Sequence, residues 1–166
     1  AVSDMQHTTV GYEKPKFEGS LPVYSFKSRQ FSVPKLVSSS TKAALYKKNE
    51  WSPIGIGLIR VEGEEGSSDL YIHYTNWNRT IQQRDPSIGI AKVVRNTEGE
   101  IEYQHMHSFR HPAIVAPNDI VPISATEFYF TNDHTGLFAH SPIGNAGDLL
   151  GFGTGQVGFC NIEKNH

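Results

Sequence analysis

The 166-residue chain has one cysteine, Cys160, and only two methionines and two tryptophans. A lone cysteine excludes a disulfide framework within the chain. Two readings remain for Cys160: a buried small apolar residue, or half of a bridge to another polypeptide. Long apolar runs are missing too. No segment approaches the ~20 apolar residues of a membrane-spanning helix, and no basic start followed by an apolar core marks a signal peptide. Charge of one sign is also scarce, with 15 Lys and Arg against 17 Asp and Glu, a net charge of −2. Without a basic block to track phosphates, nucleic acid is not an expected partner. No long helical pattern is evident.

Punctuation is plentiful. Fifteen glycines and nine prolines separate short β-branched or aromatic runs, the pattern of an all-β fold. The runs are TTVGY (8–12), LPVYSF (21–26), AALYKK (43–48), GIGLIRV (55–61), DLYIHYT (69–75), IGIAKVVR (88–95), EIEYQHMHSF (100–109), DIVPIS (119–124), EFYFTN (127–132) and GQVGFCNI (155–162). RNTEGE (95–100) and VEGEEGSSD (61–69) place glycines where antiparallel connections need positive φ. SDLYIHYTNW (68–77) and ATEFYFTNDH (125–134) share an acidic residue, an aromatic-rich strand and a terminal Thr-Asn. Four-stranded units recurring at ~40–50 residues mark a β-propeller, with a sandwich as the other reading of so weak a repeat. At ~45 residues per blade the chain holds roughly three blades and the start of another, in one partial domain over residues 1–166. Three blades do not close a ring, and open sheet edges invite wrong pairing. A second polypeptide completing the ring is therefore expected, most simply the other half of a cleaved precursor. The start Ala1-Val2-Ser3-Asp4, without Met, is in keeping with processing or trimming.

RHPAIVAPNDIVPISATEFYFTNDH (110–134) resembles the serum paraoxonase/arylesterase family, whose members carry Arg-His, an N-D-I-V segment and a strand ending T-N-D-H. The likeness extends more thinly over SPIGIGLIRVEGEEGSSDLYIHYTNW (52–77), where the family has P-H-G-I and then a strand ending N-H-P. It implies about half of a six-bladed β-propeller, of the wider gluconolactonase and strictosidine synthase type. It also implies calcium: Asn118 as a ligand of the catalytic ion in the central tunnel and Asp119 as a ligand of a structural ion, with their remaining partners outside this chain. Oxygen donors of this kind suit Ca²⁺. Two positions depart from the pattern. Ile54 stands where the family has a catalytic His, and Asn76 where it has the second; neither can serve as a general base near neutral pH.

The candidate site follows from these residues. Asn76, Asp133 and His134 are catalytic candidates, while Ile54, His73, Trp77 and Asn118 are candidates for holding substrate. A turn or a surface loop is the bland alternative for Asn118, Asp119, Asn76, Trp77, Asp133 and His134. His105 and His107 lie two apart on a strand, which would put them on one face and permits a metal, although an exposed face is commoner. His111 follows Arg110 as in the family and has a structural reading. Asn78-Arg79-Thr80 is a glycan acceptor if exposed, in a secreted or secretory-lumen protein. An oxidising compartment would let Cys160 bridge to the second chain.

Three functions compete. Loss of the His pair points to a non-hydrolytic cyclase or pericyclase-type enzyme acting on a hydrophobic natural product, which needs shape, apolar walls and a few hydrogen bonds. Retention of Asn118 and Asp119 points to a calcium-dependent lactonase or arylesterase, with His73 or Asp133 as substitute base. The third is a non-catalytic propeller binding a small molecule.

Overall fold

The computed structural model describes residues 20–38, 51–63, 66–80, 83–133 and 155–164, with the side chains of residues 78–80 and 83–85 left aside. The fold is all-β. Its strands are β1 (Val23–Ser25), β2 (Gln30–Ser32), β3 (Lys35–Ser38), β4 (Pro53–Glu62), β5 (Ser68–Thr80), β6 (Gln83–Arg95), β7 (Ile101–Phe109), β8 (Pro117–Pro122), β9 (Glu127–Asn132) and β10 (Gln156–Asn161). β1 and β2 form a small hairpin. β4 to β7 form an antiparallel meander, to whose outer edge β3 adds in parallel, giving the order β3-β7-β6-β5-β4. β8, β9 and β10 form a second antiparallel sheet. Among the described residues neither sheet is closed.

The two meanders are built on the same plan, and the register shows it. Pro53 pairs with Asn76 and Ile56 with Tyr74, so Ile54 and Gly55 together oppose Thr75. Pro117 pairs with Asn132 and Ile120 with Phe130, so Asn118 and Asp119 together oppose Thr131. Each is a β-bulge, one extra residue on the first strand. In both, the threonine opposite takes the N–H of the second bulge residue: Gly55 N–H donates to Thr75 Oγ1 at 2.8 Å, and Asp119 N–H to Thr131 Oγ1 at 3.0 Å. In both, the next asparagine holds the chain just before the proline. Ser52 N–H donates to Asn76 Oδ1 at 2.7 Å; Val115 and Ala116 N–H donate to Asn132 Oδ1 at 3.2 and 3.1 Å. The residue after the asparagine closes the motif, Trp77 N–H to Ser52 O and Asp133 N–H to Ala116 O. The sequence unit is thus Pro-x-x-Ile on one strand and aromatic-Thr-Asn on the next. A third strand contributes a glycine under the aromatic ring, Gly89 beneath Tyr74 and Gly158 beneath Phe130.

The units pack front to back. One face of the first sheet presents Tyr71, Ile88, Ile90 and Phe109 to Ile120, Phe128, Phe130 and Cys160 of the second. The opposite face of the first, with Leu36, Ile56, Ile72, Tyr74, Ala91, Val93 and Tyr103, lies under Leu21, Val23 and Trp51. Tyr103 ties this cover down by donating its hydroxyl to Leu21 O at 3.0 Å. The outward face of the second sheet carries Val121, Tyr129, Phe159 and Val157, all exposed, with Tyr129 and Phe159 in ring contact at 5.2 Å.

Most of the expected strands appear, with β9 at its predicted bounds and Gly66 and Gly99 at φ 76° and 82° in the expected connections. β2 and β3 were not foreseen. β3 is short and pairs in parallel, so it has no hairpin turn to announce it. TTVGY and AALYKK lie outside the described residues. His105 and His107 do not share a face. Met106 falls out of register, so His105 pairs with Ala91 and His107 with Ile90, neighbours whose side chains point oppositely.

Gly55 is where the first unit touches the second. A Cβ there would overlap Asn118 O and crowd Asp119 Cα at 2.8 Å. Gly55→Ala is expected to lower the unfolding free energy by about 2–3 kcal/mol, measured by urea titration, whereas Gly63→Ala, which would meet chiefly the movable Ser67 hydroxyl, should cost far less.

Candidate functional site

The bulge on β8 determines what Asn118 and Asp119 can do. An unbulged strand would send successive side chains to opposite faces. The extra residue instead leaves both side chains exposed, between buried Pro117 and Ile120. Asn118 Nδ2 donates to Asp133 Oδ1 at 2.8 Å. This bond sets the orientation of the carboxamide, and Asn118 Oδ1 has no hydrogen bond among the described residues. Asp119 Oδ1 accepts the N–H of Ile120 at 2.8 Å, which leaves its second carboxylate oxygen for other contacts.

The first unit holds this bulge from behind. Thr75 Oγ1, besides accepting from Gly55, donates to Asn118 O at 3.2 Å. Trp77 Nε1 donates to Pro117 O at 2.6 Å. Carbonyls that a regular ladder would have paired are thus satisfied by side chains of the neighbouring sheet, as buried backbone requires. Asn118, Asp119 and Asp133 converge where the second unit begins, while Ile54, Gly55 and Trp77 occupy the same three positions of the first. One bulge is polar and its neighbour apolar.

The other candidates are distributed as follows. Asn76 is 1 % exposed and its Oδ1 is engaged by Ser52. Trp77 is half-buried, with its indole N–H committed to Pro117 O. Ile54 is half-buried on β4. His134 lies outside the described residues. His111 caps its own turn, Nδ1 accepting from Ala113 N–H at 3.2 Å, and stacks on Phe109. Asn78 sits near the end of β5, paired with Asp85 of β6. Cys160 is a free thiol, 2 % exposed against Phe128 and Phe130, and burial pushes its pKa up to about 11. That placement favours the buried-thiol reading, because a bridge to another chain would require the sheets to part. Among the described residues no group of three or more His, Cys, Asp or Glu is placed to hold a metal.

His73 is fully buried between the sheets, edge-on to Phe128 at 5.6 Å. Among the described residues neither ring nitrogen has a hydrogen bond of ordinary geometry. Burial lowers its pKa to about 4, the Ala125 backbone offsetting part of the shift. It is therefore neutral at pH 7 and turned into the core between the sheets. Threonines 75 and 131 went unrecognised as site residues. Their signal, Pro-x-x-Ile ahead of aromatic-Thr-Asn, occurs twice in the sequence but spans two strands each time.

A histidine buried neutral destabilises the fold in acid. Above pH 6.5 both folded and unfolded states hold it uncharged; below that, the unfolded state takes the proton first, and stability falls until pH approaches 4. The loss amounts to at most about 3 kcal/mol. His73→Leu is expected to flatten the fall in unfolding midpoint between pH 6.5 and 4, measured by thermal denaturation against the parent protein.

No protein-family model and no curated protein matches this chain; the reading of the site rests on its own residues.

Proposed function

We propose that the chain is part of a paraoxonase-like, six-bladed β-propeller that holds a hydrophobic small molecule at the mouth of its tunnel. There it promotes a non-hydrolytic bond formation of cyclase or pericyclase type. One observation carries the reading: the polar bulge of Asn118 and Asp119 stands next to the apolar bulge of Ile54 and Gly55. A substrate laid across both would meet hydrocarbon on one side and one oriented carboxamide on the other. Such a wall suits holding reactive carbons in a near-attack pose while a single carbonyl or hydroxyl is fixed by hydrogen bonding. Water activation is less well provided for. The Asp133 carboxylate accepts the Asn118 amide, and His73 is sealed in the core.

A second reading, calcium-dependent ester or lactone hydrolysis, is favoured by the side-by-side oxygens of Asn118 and Asp119. Their chemistry fits a hard cation, but Ca²⁺ takes 6–8 oxygens, and Asn118, Asp119 and Asp133 supply only part of such a shell. Asn118 Oδ1 and the second Asp119 oxygen would contribute to holding the ion, which would polarise a bound carbonyl. The full protein should be incubated separately with a conjugated polyene bearing an internal dienophile, with aryl esters and with lactones. A stereoselective cyclic product that persists in EDTA and falls at least about tenfold in Asn118→Ala supports the cyclase. Ester or lactone cleavage abolished by EDTA overturns it in favour of the hydrolase, and turnover of neither class leaves a non-catalytic binding propeller.

The same reading includes a second chain that completes the ring, seated on the exposed face of Val121, Tyr129, Phe159 and Val157. This chain alone is expected to associate, and Tyr129→Ser with Phe159→Ser to reduce that association. A folded monomer of the parent chain in size-exclusion chromatography would count against the missing partner.

A further inference from the structure

A hydrogen-bonded line of three side chains lies on the face of the first sheet turned away from β8–β10, apart from the Asn118 site. Tyr74 lies flat over Gly89, where a side chain would collide with its ring. Its hydroxyl thereby reaches across β6 to β7, 3.4 Å from His105 Nδ1. His105 Nε2 is in turn 3.2 Å from Ser108 Oγ. The bulge at Met106 makes this geometry possible. With Met106 out of register, His105 pairs with Ala91 and Ser108 with Gly89. Two residues three apart thus share one face of the strand, which regular alternation forbids.

Exposure is graded along the line: Tyr74 is buried, His105 half-buried and Ser108 exposed. Burial and the neighbouring His107 lower the pKa of His105, which favours the neutral ring. In the tautomer with its proton on Nδ1, the ring donates to the Tyr74 hydroxyl oxygen and turns the Nε2 lone pair to Ser108. Nucleophile, base and orienting group then stand in the order that activates a hydroxyl.

We propose that Ser108 is an acyl-acceptor site for activated esters, with His105 as its general base and Tyr74 as the positioning residue for that base. Ser108 Oγ attacks the ester carbonyl while its proton passes to His105 Nε2. The carbonyl carbon then releases its aryloxide, which takes the proton back from His105. The products are an acyl ester on Ser108 and a free phenol, with no oxidation or reduction.

The test is incubation of the full chain with p-nitrophenyl acetate at neutral pH, followed by peptide mapping. Acetyl on Ser108 is expected, absent in Ser108→Ala and retained in Ser28→Ala, an exposed serine on the β1–β2 hairpin. His105→Gln, which keeps the side chain polar without a base, should slow acetylation of Ser108 about a hundred-fold. Circular dichroism should show both variants folded. Tyr74→Phe should slow it less and shift the His105 ring away from the Nδ1-protonated tautomer, read from nitrogen NMR. Acetyl found only on other residues, or a His105→Gln rate equal to the parent's, would overturn the assignment.

Discussion

Two threonine hydroxyls hold this architecture together. A bulge breaks the ladder between the first two strands of each unit, and the backbone groups it releases cannot be left unpaired in a packed interior. Thr75 and Thr131 repair the break from the opposite strand, and Thr75 also caps Asn118 O across the junction between sheets. The following asparagines fix the entry of the chain into the bulge. The distortion is thus held by side chains that do not themselves occupy it. Holding the bulge from outside lets Ile54 and Asn118 differ in chemistry on the same backbone, while Gly55 is fixed by its closeness to Asn118 O.

Much of the fold was legible, and the reason lies in its turns and alternation. β5, β6, β7, β9 and β10 are runs rich in aromatic and β-branched residues, with Asn96 and Gly99 marking the turn between β6 and β7. β3 was hidden because it pairs in parallel with a strand distant in sequence, through Lys35 to Ser38. The recurrent Thr-Asn was visible as a pattern, but its meaning was not. The partners of Asn76 and Asn132 are backbone N–H groups ahead of Pro53 and Pro117, and only the folded register brings them together.

The site was legible in part. Asn118 and Asp133 were both singled out by sequence, but their hydrogen bond is visible only once β8 and β9 are paired. The faces of His105 and His107 were misjudged, since strict alternation fails at an unpaired residue such as Met106. His73 read as a chemical group because histidine is polar; its neighbours Ile90 and Phe128 make it part of the core. A buried residue and an exposed one look alike until the opposite sheet is in place.

Front-to-back stacking gives the molecule a direction, and Gly55 records how close one unit can come to the next. Asp119 stands at the equivalent place one unit later. A carboxylate there bars any following unit from nesting as tightly as the second nests on the first. A unit packed on that face would have to stand off by the depth of a side chain, with Asp119 forming an acidic seam where the preceding junction is backbone against backbone.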